Sequence, residues 1–239
     1  MVASQNGSLC YAKDKIHMTY SEGHFDAIAD EYDYWKKKNA YYHENLKALY
    51  GSYIPKGERV LEIGCGTGDI LARLEPGEGR GVDVSEEMVE IARRKYSGKS
   101  NLHFEREDIF ENTKMFGYPY IFLADVLEHV GDLGNFVRQL SARTDPGSTV
   151  VISVANPLWE PVLMLAEKLH MKMPEGPHTR DSIRETERIF RESGFTLVER
   201  GFRLLVPKKI PGGDWINARF HSLPFLRHLG FVVYWVFKR

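Results

Sequence analysis

The sequence predicts an α/β fold built on a doubly wound, mostly parallel sheet with helices on both faces. Three observations support it: strand-length apolar segments alternate with amphipathic helical ones, their connections are short, and a glycine-rich turn follows the first apolar segment. The predicted strands cover residues 59–63, 79–84, 102–105, 120–124, 148–154, 195–205 and 231–237. The predicted sheet helices cover residues 68–74, 85–96, 133–143 and 180–193, and a further helical stretch, 158–170, lies outside the regular alternation.

The segments outside this alternation complete the predicted organisation. Residues 21–50 are predicted to form N-terminal helices, because apolar residues from Phe25 to Trp35 recur three and four positions apart. Residues 1–20 are polar and aperiodic, which is typical of a flexible leader. Residues 21–239 are predicted to form a single domain, in which two irregular inserts, 156–179 and 206–227, face the substrate as lids.

Composition limits the partners and the compartment. The chain of 239 residues has 32 basic and 33 acidic side chains, so the net charge of −1 gives no overall electrostatic reason to expect nucleic acid. Cys10 and Cys65 lie far apart, which suggests neither a disulfide framework nor a zinc site. No export signal is visible, and the longest purely apolar run, 231–237, is too short to span a bilayer. We therefore expect a cytoplasmic protein.

A glycine-rich turn between the first strand and the following helix carries the clearest ligand-binding signal. Gly64, Gly66 and Gly68 alternate there, so the backbone can approach a ligand closely at the carboxyl edge of the sheet. A dinucleotide-binding turn, G-x-G-x-x-G, would require glycine at position 69. The chain has Asp69 there, and an acid at a helix start would repel a pyrophosphate. The spacing therefore favours a ligand without a pyrophosphate.

An acid at the end of the second strand narrows the ligand further. Asp83 lies fifteen residues after Gly68, and its carboxylate can accept both hydroxyls of a ribose. With these residues, the chain resembles the class I, S-adenosylmethionine-dependent methyltransferases of the small-molecule type over roughly residues 24–205. The resemblance implies a Rossmann-like sheet of seven strands with an antiparallel last strand. It also implies S-adenosylmethionine as cofactor and S-adenosylhomocysteine as product.

The resemblance gives roles to the residues around the turn. Residues 64–68, Cys65 among them, would hold the methionine part of the cofactor, with Glu62 supporting them. Asp83 would hold the ribose, and Tyr32 would fold over the cofactor. Structural roles alone are the alternative for Glu62 and Tyr32.

The resemblance also implies an adenine site after the second and third strands. Val84 and Met88 would pack against the adenine, with Ile109 beside the ring. Asp108 would accept a hydrogen bond from the adenine amino group. For Met88, a place in the helix core is the alternative.

The end of the fourth strand is predicted to face the methyl group. By resemblance, Ala124 and Asp125 would lie near the methionine amino group and the transferable methyl. A sulfonium is an activated donor, so a base is needed only for a poorly acidic acceptor such as an alcohol. His129 is the first candidate for this base and His178 the second. Alternatively, His129 packs or caps locally.

The same stretch resembles a metal-binding segment. Asp125, Glu128 and His129 match the E-x-x-E-H stretch of relatives that bind magnesium, among them quinone-pathway O-methyltransferases, and oxygen ligands suit magnesium. However, the first acid is Asp rather than Glu, no further ligand is visible, and many relatives bind no metal there. We therefore predict no metal site.

The end of the chain allows two interpretations. Residues 203–239 carry a net charge of +6, with large apolar side chains interleaved. They form either a basic amphipathic helix that makes peripheral contact with a membrane or binds a lipid-linked acceptor, or a lid with a solvated basic face. Pro211 and Pro224 interrupt the segment and favour the lid.

The leading functional interpretation is an S-adenosylmethionine-dependent methyltransferase that modifies an oxygen or nitrogen of a small metabolite, such as a sugar, a phenolic or a lipid-linked compound. RNA methylation is an alternative, disfavoured by the neutral charge and by the lack of an Asn-Pro-Pro-Tyr-like motif after the fourth strand. The other alternative is a non-catalytic protein that binds the cofactor. The intact set of glycine turn, Asp83 and Asp108 argues against it.

Overall fold

The computed structural model describes residues 22–109, 116–171, 181–220, 223 and 226–239. Seven strands form one sheet in the order β3-β2-β1-β4-β5-β7-β6. Neighbours among β1 to β5 pair in parallel, whereas β7 pairs antiparallel with both β5 and β6. The predicted mostly parallel sheet with an antiparallel last strand is confirmed. The strands are β1 Arg59–Ile63, β2 Glu78–Asp83, β3 Leu102–Arg106, β4 Tyr120–Ala124, β5 Thr149–Ala155, β6 Thr196–Arg203 and β7 Val232–Lys238.

The described helices include two that precede the sheet, as predicted. These N-terminal helices are separated by one residue, Asn39, which is not helical. The helices are α1 Glu22–Lys38, α2 Ala40–Gly51, α3 Asp69–Arg73, α4 Glu86–Lys95, α5 Leu133–Arg143, α6 Glu160–Lys168, α7 Ile183–Glu192 and α8 Gly213–Phe220.

Strand alternation divides the core between the two faces of the sheet. In β1, Val60 belongs to a cluster with residues of α2, α3 and α4, whereas Leu61 belongs to a cluster with residues of α5 and α7. Phe136 of α5 and Phe190 of α7 are fully buried in the second cluster. Because successive side chains of a strand point to opposite faces, each face receives its own helical layer. The result is the doubly wound arrangement.

Side-chain caps fix where two sheet helices begin. The Ser85 hydroxyl accepts a hydrogen bond from Met88 N at 3.1 Å, and α4 starts at the next residue, as the Ser-Glu-Glu sequence predicts. Asp132 caps α5 in the same way, accepting from Asn135 N at 2.8 Å.

The inserts differ in detail from the prediction. In the first, a 3-10 turn, Pro157–Trp159, precedes α6, so the α-helix is shorter than predicted. The second insert is not wholly irregular, because α8 forms between Pro211 and Pro224. Proline breaks helices only where it stands, and the residues between these two carry none.

The basic charges of the chain end are not carried by one helix. Lys238 and Arg239 lie at the end of β7, where they donate to the carbonyls of Gly147 and Ser141. The single basic amphipathic helix considered above is therefore replaced by strands around a short α8. Among the described residues, no helix is long and apolar enough to cross a membrane. The predicted leader and His178 lie outside the described residues.

Candidate active site

The glycine turn after β1 has a backbone that side chains would not tolerate. Gly64, Gly66 and Gly68 have φ angles of 72°, 49° and 79°, in the left-handed region. A Cβ on Gly64 would lie 2.4 Å from Cγ2 of Val126, which is an overlap. Gly64 N donates to Val82 O at 2.8 Å, so the turn is attached to the end of β2.

Asp83, the last residue of β2, holds the turn from the other side. One of its carboxylate oxygens accepts from Gly66 N at 2.7 Å and the other from Ser85 N at 3.1 Å. Burial raises the pKa of Asp83, while these backbone donors act in the opposite direction. A carboxylate oxygen has more than one acceptor site. Asp83 therefore keeps capacity for two further donors, as a ribose would require.

A first cavity of roughly 680 Å³ lies between the glycine turn, the ends of the central strands and α1. It brings together most of the residues singled out in the sequence: Tyr32, Gly64, Gly66, Asp83, Val84, Met88, Asp108, Ile109, Asp125 and His129. Phe25, Ile63, Val82, Glu107, Val126 and Phe136 complete its lining. The first cavity is thus lined by both apolar side chains and acids.

Four of the predicted binding residues do not line this cavity: Glu62, Cys65, Gly68 and Ala124. The Glu62 carboxylate accepts from Leu71 N at 3.3 Å and so holds α3. The Cys65 thiol packs into the core, where a Cβ on Gly81 would lie 3.0 Å from its sulfur. Gly68 stands in the N-cap position of α3. Their contacts are to the protein scaffold behind the turn.

Glu62 gives a prediction on stability. Burial raises its pKa well above the ordinary value, so the folded protein holds this proton at pH values where the unfolded chain has lost it. The contribution of protonated Glu62 to the free energy of unfolding is fully present below the pKa that this group has in the unfolded chain. It declines as the pH rises towards the pKa in the folded protein, by at most about 1.4 kcal/mol per pH unit. We expect Glu62→Gln, measured by urea unfolding at pH 5 and pH 8, to lose less stability across this interval than the wild type. Equal losses would contradict the prediction.

Helix α1 covers the turn and the first cavity. A Cβ on Gly66 would lie 3.2 Å from Cε1 of Tyr32, and the Phe25 ring packs edge-on against His129 with centroids 5.2 Å apart. The Ser85 hydroxyl donates to Asp26 at 2.5 Å. Tyr32 thus lies over the turn.

A charge network fastens α1 to α3 and α4. Asp69 pairs with Lys36 at 3.1 Å and with Lys95 at 2.7 Å, and Lys95 also pairs with Asp33 at 2.6 Å. Burial alone would raise the pKa of Asp69, but the two lysines and the Tyr96 hydroxyl outweigh it and hold the pKa well below its ordinary value. The two lysines therefore compensate the negative charge of Asp69. The argument from the sequence that Asp69 would repel a pyrophosphate loses its basis. Both lysines are remote in sequence, so the pattern around the turn did not reveal them.

Asp125 follows β4 and has an unusual backbone. Its φ of 56° is left-handed, and its backbone N donates to Ser153 O at 3.0 Å. Tyr42 of α2 donates its hydroxyl to Asp125 Oδ2 at 2.6 Å. Burial, and then the charge of Asp125, raise the pKa of Tyr42 well above its ordinary value, so the phenol keeps its proton and remains a donor. Tyr42 is a site residue that sequence reasoning missed.

A second cavity of roughly 1400 Å³ adjoins the first. The two cavities share Phe25, Tyr32, Asp125 and His129. The rest of its lining comes from α1 and α2 with the residue between them, from the turn after β4, the end of β5, both inserts and the residue before β7: Trp35, Lys36, Asn39, Tyr42, His43, Glu128, Ala155, Trp159, Val162, Leu163, Ala166, Met171, Pro207, Lys208 and Phe231. A larger, mostly apolar space therefore meets the first one at Asp125 and His129.

A family described as "Methyltransferase domain" matches residues 34–200, most of the chain. The chain belongs to the class I, S-adenosylmethionine-dependent methyltransferase family. It is similar to the ubiquinone biosynthesis O-methyltransferase of Coxiella burnetii, with 29% identity over 141 residues that cover 56% of this chain and 60% of that protein. The chain thus spans less than two thirds of the length of that curated relative.

Solved structures agree on the fold. Magnesium protoporphyrin IX methyltransferase of Synechocystis, with bound S-adenosylhomocysteine, has a TM-score of 0.66 and 17% identity, covering 91% of this chain and 97% of that one. The methyltransferase in complex with the Trm112 activator of Haloferax volcanii has a TM-score of 0.68 and 20% identity, covering 90% and 96%. The Rossmann-like fold implied by the sequence is confirmed.

The stretch that resembles a magnesium-binding segment, residues 125–129, is held by contacts within the protein. Among the residues that the structure describes, no three His, Cys, Asp or Glu side chains are grouped so that they could hold a metal ion. One oxygen of Asp125 is already engaged by the Tyr42 hydroxyl. The segment from Leu127 to His129 forms a 3-10 turn, in which Glu128 and His129 are both buried.

Proposed function

We propose that this chain transfers the methyl group of S-adenosylmethionine to an oxygen or nitrogen of a small metabolite. The first cavity is then the cofactor site and the second the acceptor site. The observation that supports this most strongly is that the two cavities meet at Asp125 and His129, at the carboxyl edge of the sheet. Methyl transfer needs a donor and an acceptor side by side in a space shielded from water.

The residues of the first cavity fit the cofactor. Asp83 has acceptor capacity for the ribose hydroxyls, and Asp108 is an acceptor near the apolar side chains Val84, Met88 and Ile109, which suit the adenine. When bound, S-adenosylmethionine supplies a methyl group already activated by its sulfonium.

The protein's own contribution is alignment and proton handling. His129 is 7% exposed and lines both cavities, so its ring can reach an acceptor hydroxyl that enters from the second cavity. The Tyr42 hydrogen bond orients the Asp125 carboxylate at the same junction. Phe25 packs against His129 and limits water there. We assign His129 as the base and Asp125 as a charged group beside the reacting atoms.

The lining of the second cavity supports a phenolic or lipid-linked acceptor over a sugar. Trp35, Trp159, Leu163 and Phe231 present aromatic and aliphatic surface, which suits an apolar ring or chain better than it suits the hydroxyls of a sugar. The similarity to ubiquinone biosynthesis O-methyltransferases agrees with such an acceptor. The buried free thiol of Cys65 suits the reducing cytoplasm that we propose as the compartment.

An acceptor screen tests the proposed function. Purified protein is incubated with S-adenosylmethionine and phenolic, lipid-linked, sugar and amine acceptors, and S-adenosylhomocysteine is measured. We expect formation with a phenolic or lipid-linked acceptor. Cofactor binding without turnover on any class would instead favour the non-catalytic alternative.

His129→Gln gives a sharper prediction once an acceptor is known. With an alcohol or phenol acceptor we expect kcat to fall roughly 100-fold, because general base catalysis contributes about this much. His103→Gln, on the exposed part of β3, is the matched control and should leave kcat unchanged. An unchanged kcat in His129→Gln would remove the base role while leaving methyl transfer by alignment intact.

A further inference from the structure

The two inserts expose an unusual amount of apolar side chain. In α6, Leu163 is buried at 8% exposure, whereas the next two residues, Met164 and Leu165, are 54% and 57% exposed. In the second insert, Trp215 is 63% exposed. Contiguous exposed apolar surface on a folded protein marks an interaction site. We call six of these residues the insert surface: Leu158, Val162, Leu165, Leu169, Ile210 and Trp215.

Both inserts border the same opening. Trp159 donates its indole N–H to Leu229 O at 2.9 Å, which ties the first insert to the segment that directly follows the second. The second cavity is lined by Val162 and Met171 from the first insert and by Pro207 and Lys208 from the second. Val162 is also 52% exposed and Met171 42% exposed, so their side chains reach from the cavity to solvent. The insert surface is therefore continuous with the mouth of the proposed acceptor site.

Basic side chains flank this apolar surface. Lys168, Lys208, Lys209 and Arg219 are exposed on the same two segments. The acids on the described part of these segments are Glu160, Glu167 and Asp214. Asp214 accepts a hydrogen bond from the Tyr41 hydroxyl at 2.7 Å. Leucine and tryptophan beside lysine and arginine match the interface of an anionic bilayer, in which the apolar groups enter the acyl boundary and the cations reach the phosphates.

We propose that the insert surface docks on an anionic phospholipid bilayer and turns the mouth of the second cavity towards the lipid. A lipid-soluble acceptor then enters the second cavity from the bilayer without crossing water. This inference rests on the proposed function for its purpose, but the docking itself does not require turnover. It assigns membrane contact to both inserts together, rather than to the basic C-terminal segment alone.

Vesicle flotation tests the docking with the full chain. The protein is mixed with vesicles of phosphatidylcholine alone, or of phosphatidylcholine with 30% phosphatidylglycerol, and the floating fraction is measured. We expect binding to the anionic vesicles and at least about a ten-fold weaker partition for Leu165→Glu/Leu169→Glu, because the double variant removes two large apolar groups from the contact. Val198→Glu on β6, where the side chain is 60% exposed outside both inserts, is the matched control and should bind like the wild type.

Other outcomes would overturn the proposal. Absence of flotation, or equal partition of the double variant and the wild type, would show that the insert surface does not enter lipid. Dimerisation of the wild type in sedimentation, abolished by the double variant, would identify a second copy of the chain as the occupant. S-adenosylhomocysteine affinity, measured on the same variants, separates the two proposals: loss of flotation with intact affinity concerns docking alone, whereas absent affinity in the wild type refutes the cofactor site.

Discussion

Asp83→Asn is expected to raise the Kd for S-adenosylhomocysteine roughly 100-fold. The carboxylate already accepts Gly66 N and Ser85 N, and a ribose adds two hydroxyl donors. The amide lacks the negative charge and has one acceptor oxygen instead of two, so it cannot serve all four donors. Hydrogen bonds to a charged group contribute about 1.5–3 kcal/mol each, and a 100-fold loss of affinity corresponds to about 2.7 kcal/mol, the loss of one to two such bonds. Isothermal titration calorimetry measures it directly.

A matched variant separates binding from folding. Asp132→Asn makes the same chemical change at the cap of α5, outside the cavity lining, and asparagine is an equally good cap. We expect it to bind S-adenosylhomocysteine with wild-type affinity. If Asp83→Asn also bound at wild-type affinity while remaining folded, Asp83 would not be the ribose ligand.

Gly64→Ala is expected to lower the free energy of unfolding by about 3 kcal/mol. The left-handed backbone costs an alanine roughly 1–2 kcal/mol, and forcing a methyl group into a packed site costs roughly 1–3 kcal/mol more. The source of the second cost is Val126, whose Cγ2 lies 2.4 Å from the position of the new Cβ. Urea unfolding provides the measurement.

Comparison with Gly57→Ala separates the cost of the overlap from the cost of the left-handed backbone. Gly57 has a similar φ of 81°, but a Cβ there would meet nothing within 4 Å. It should therefore show the backbone cost alone. In the double variant Gly64→Ala/Val126→Ala, the two substitutions should be non-additive, because the smaller side chain relieves the overlap. Equal destabilisation by Gly64→Ala and Gly57→Ala would contradict the assigned contact.

The sheet could be predicted from the sequence because its signals are local. The central strands β1, β4 and β5 are short apolar runs, and α4 has a recognisable start in Ser85, which caps it. The structure of the inserts was harder to predict from the sequence. Helix α8 has only eight residues between prolines, and the burial of Leu163 beside exposed Leu165 depends on contacts that periodicity does not report.

For the active site, the sequence indicated the residues at strand ends but not those that orient them. Asp83 ends β2 and Asp125 directly follows β4, and both were found by their positions at strand ends. Tyr42 bonds Asp125 from 83 residues away, and nothing in its local pattern distinguishes it from the other aromatic residues of α2. The compensation of Asp69 by Lys36 and Lys95 likewise depends on how α1 and α4 pack. Local pattern located the sheet edge where we propose that the cofactor binds, whereas tertiary contacts set the electrostatics of that edge.

A crystal structure of the complex with S-adenosylhomocysteine tests the central claim most directly. We predict the ribose hydroxyls within hydrogen-bonding distance of Asp83, the adenine among Val84, Met88 and Ile109, and the sulfur at the junction of the two cavities, facing Asp125 and His129. A ligand bound elsewhere, or one whose sulfur points away from the second cavity, would contradict the assignment of the two cavities to cofactor and acceptor.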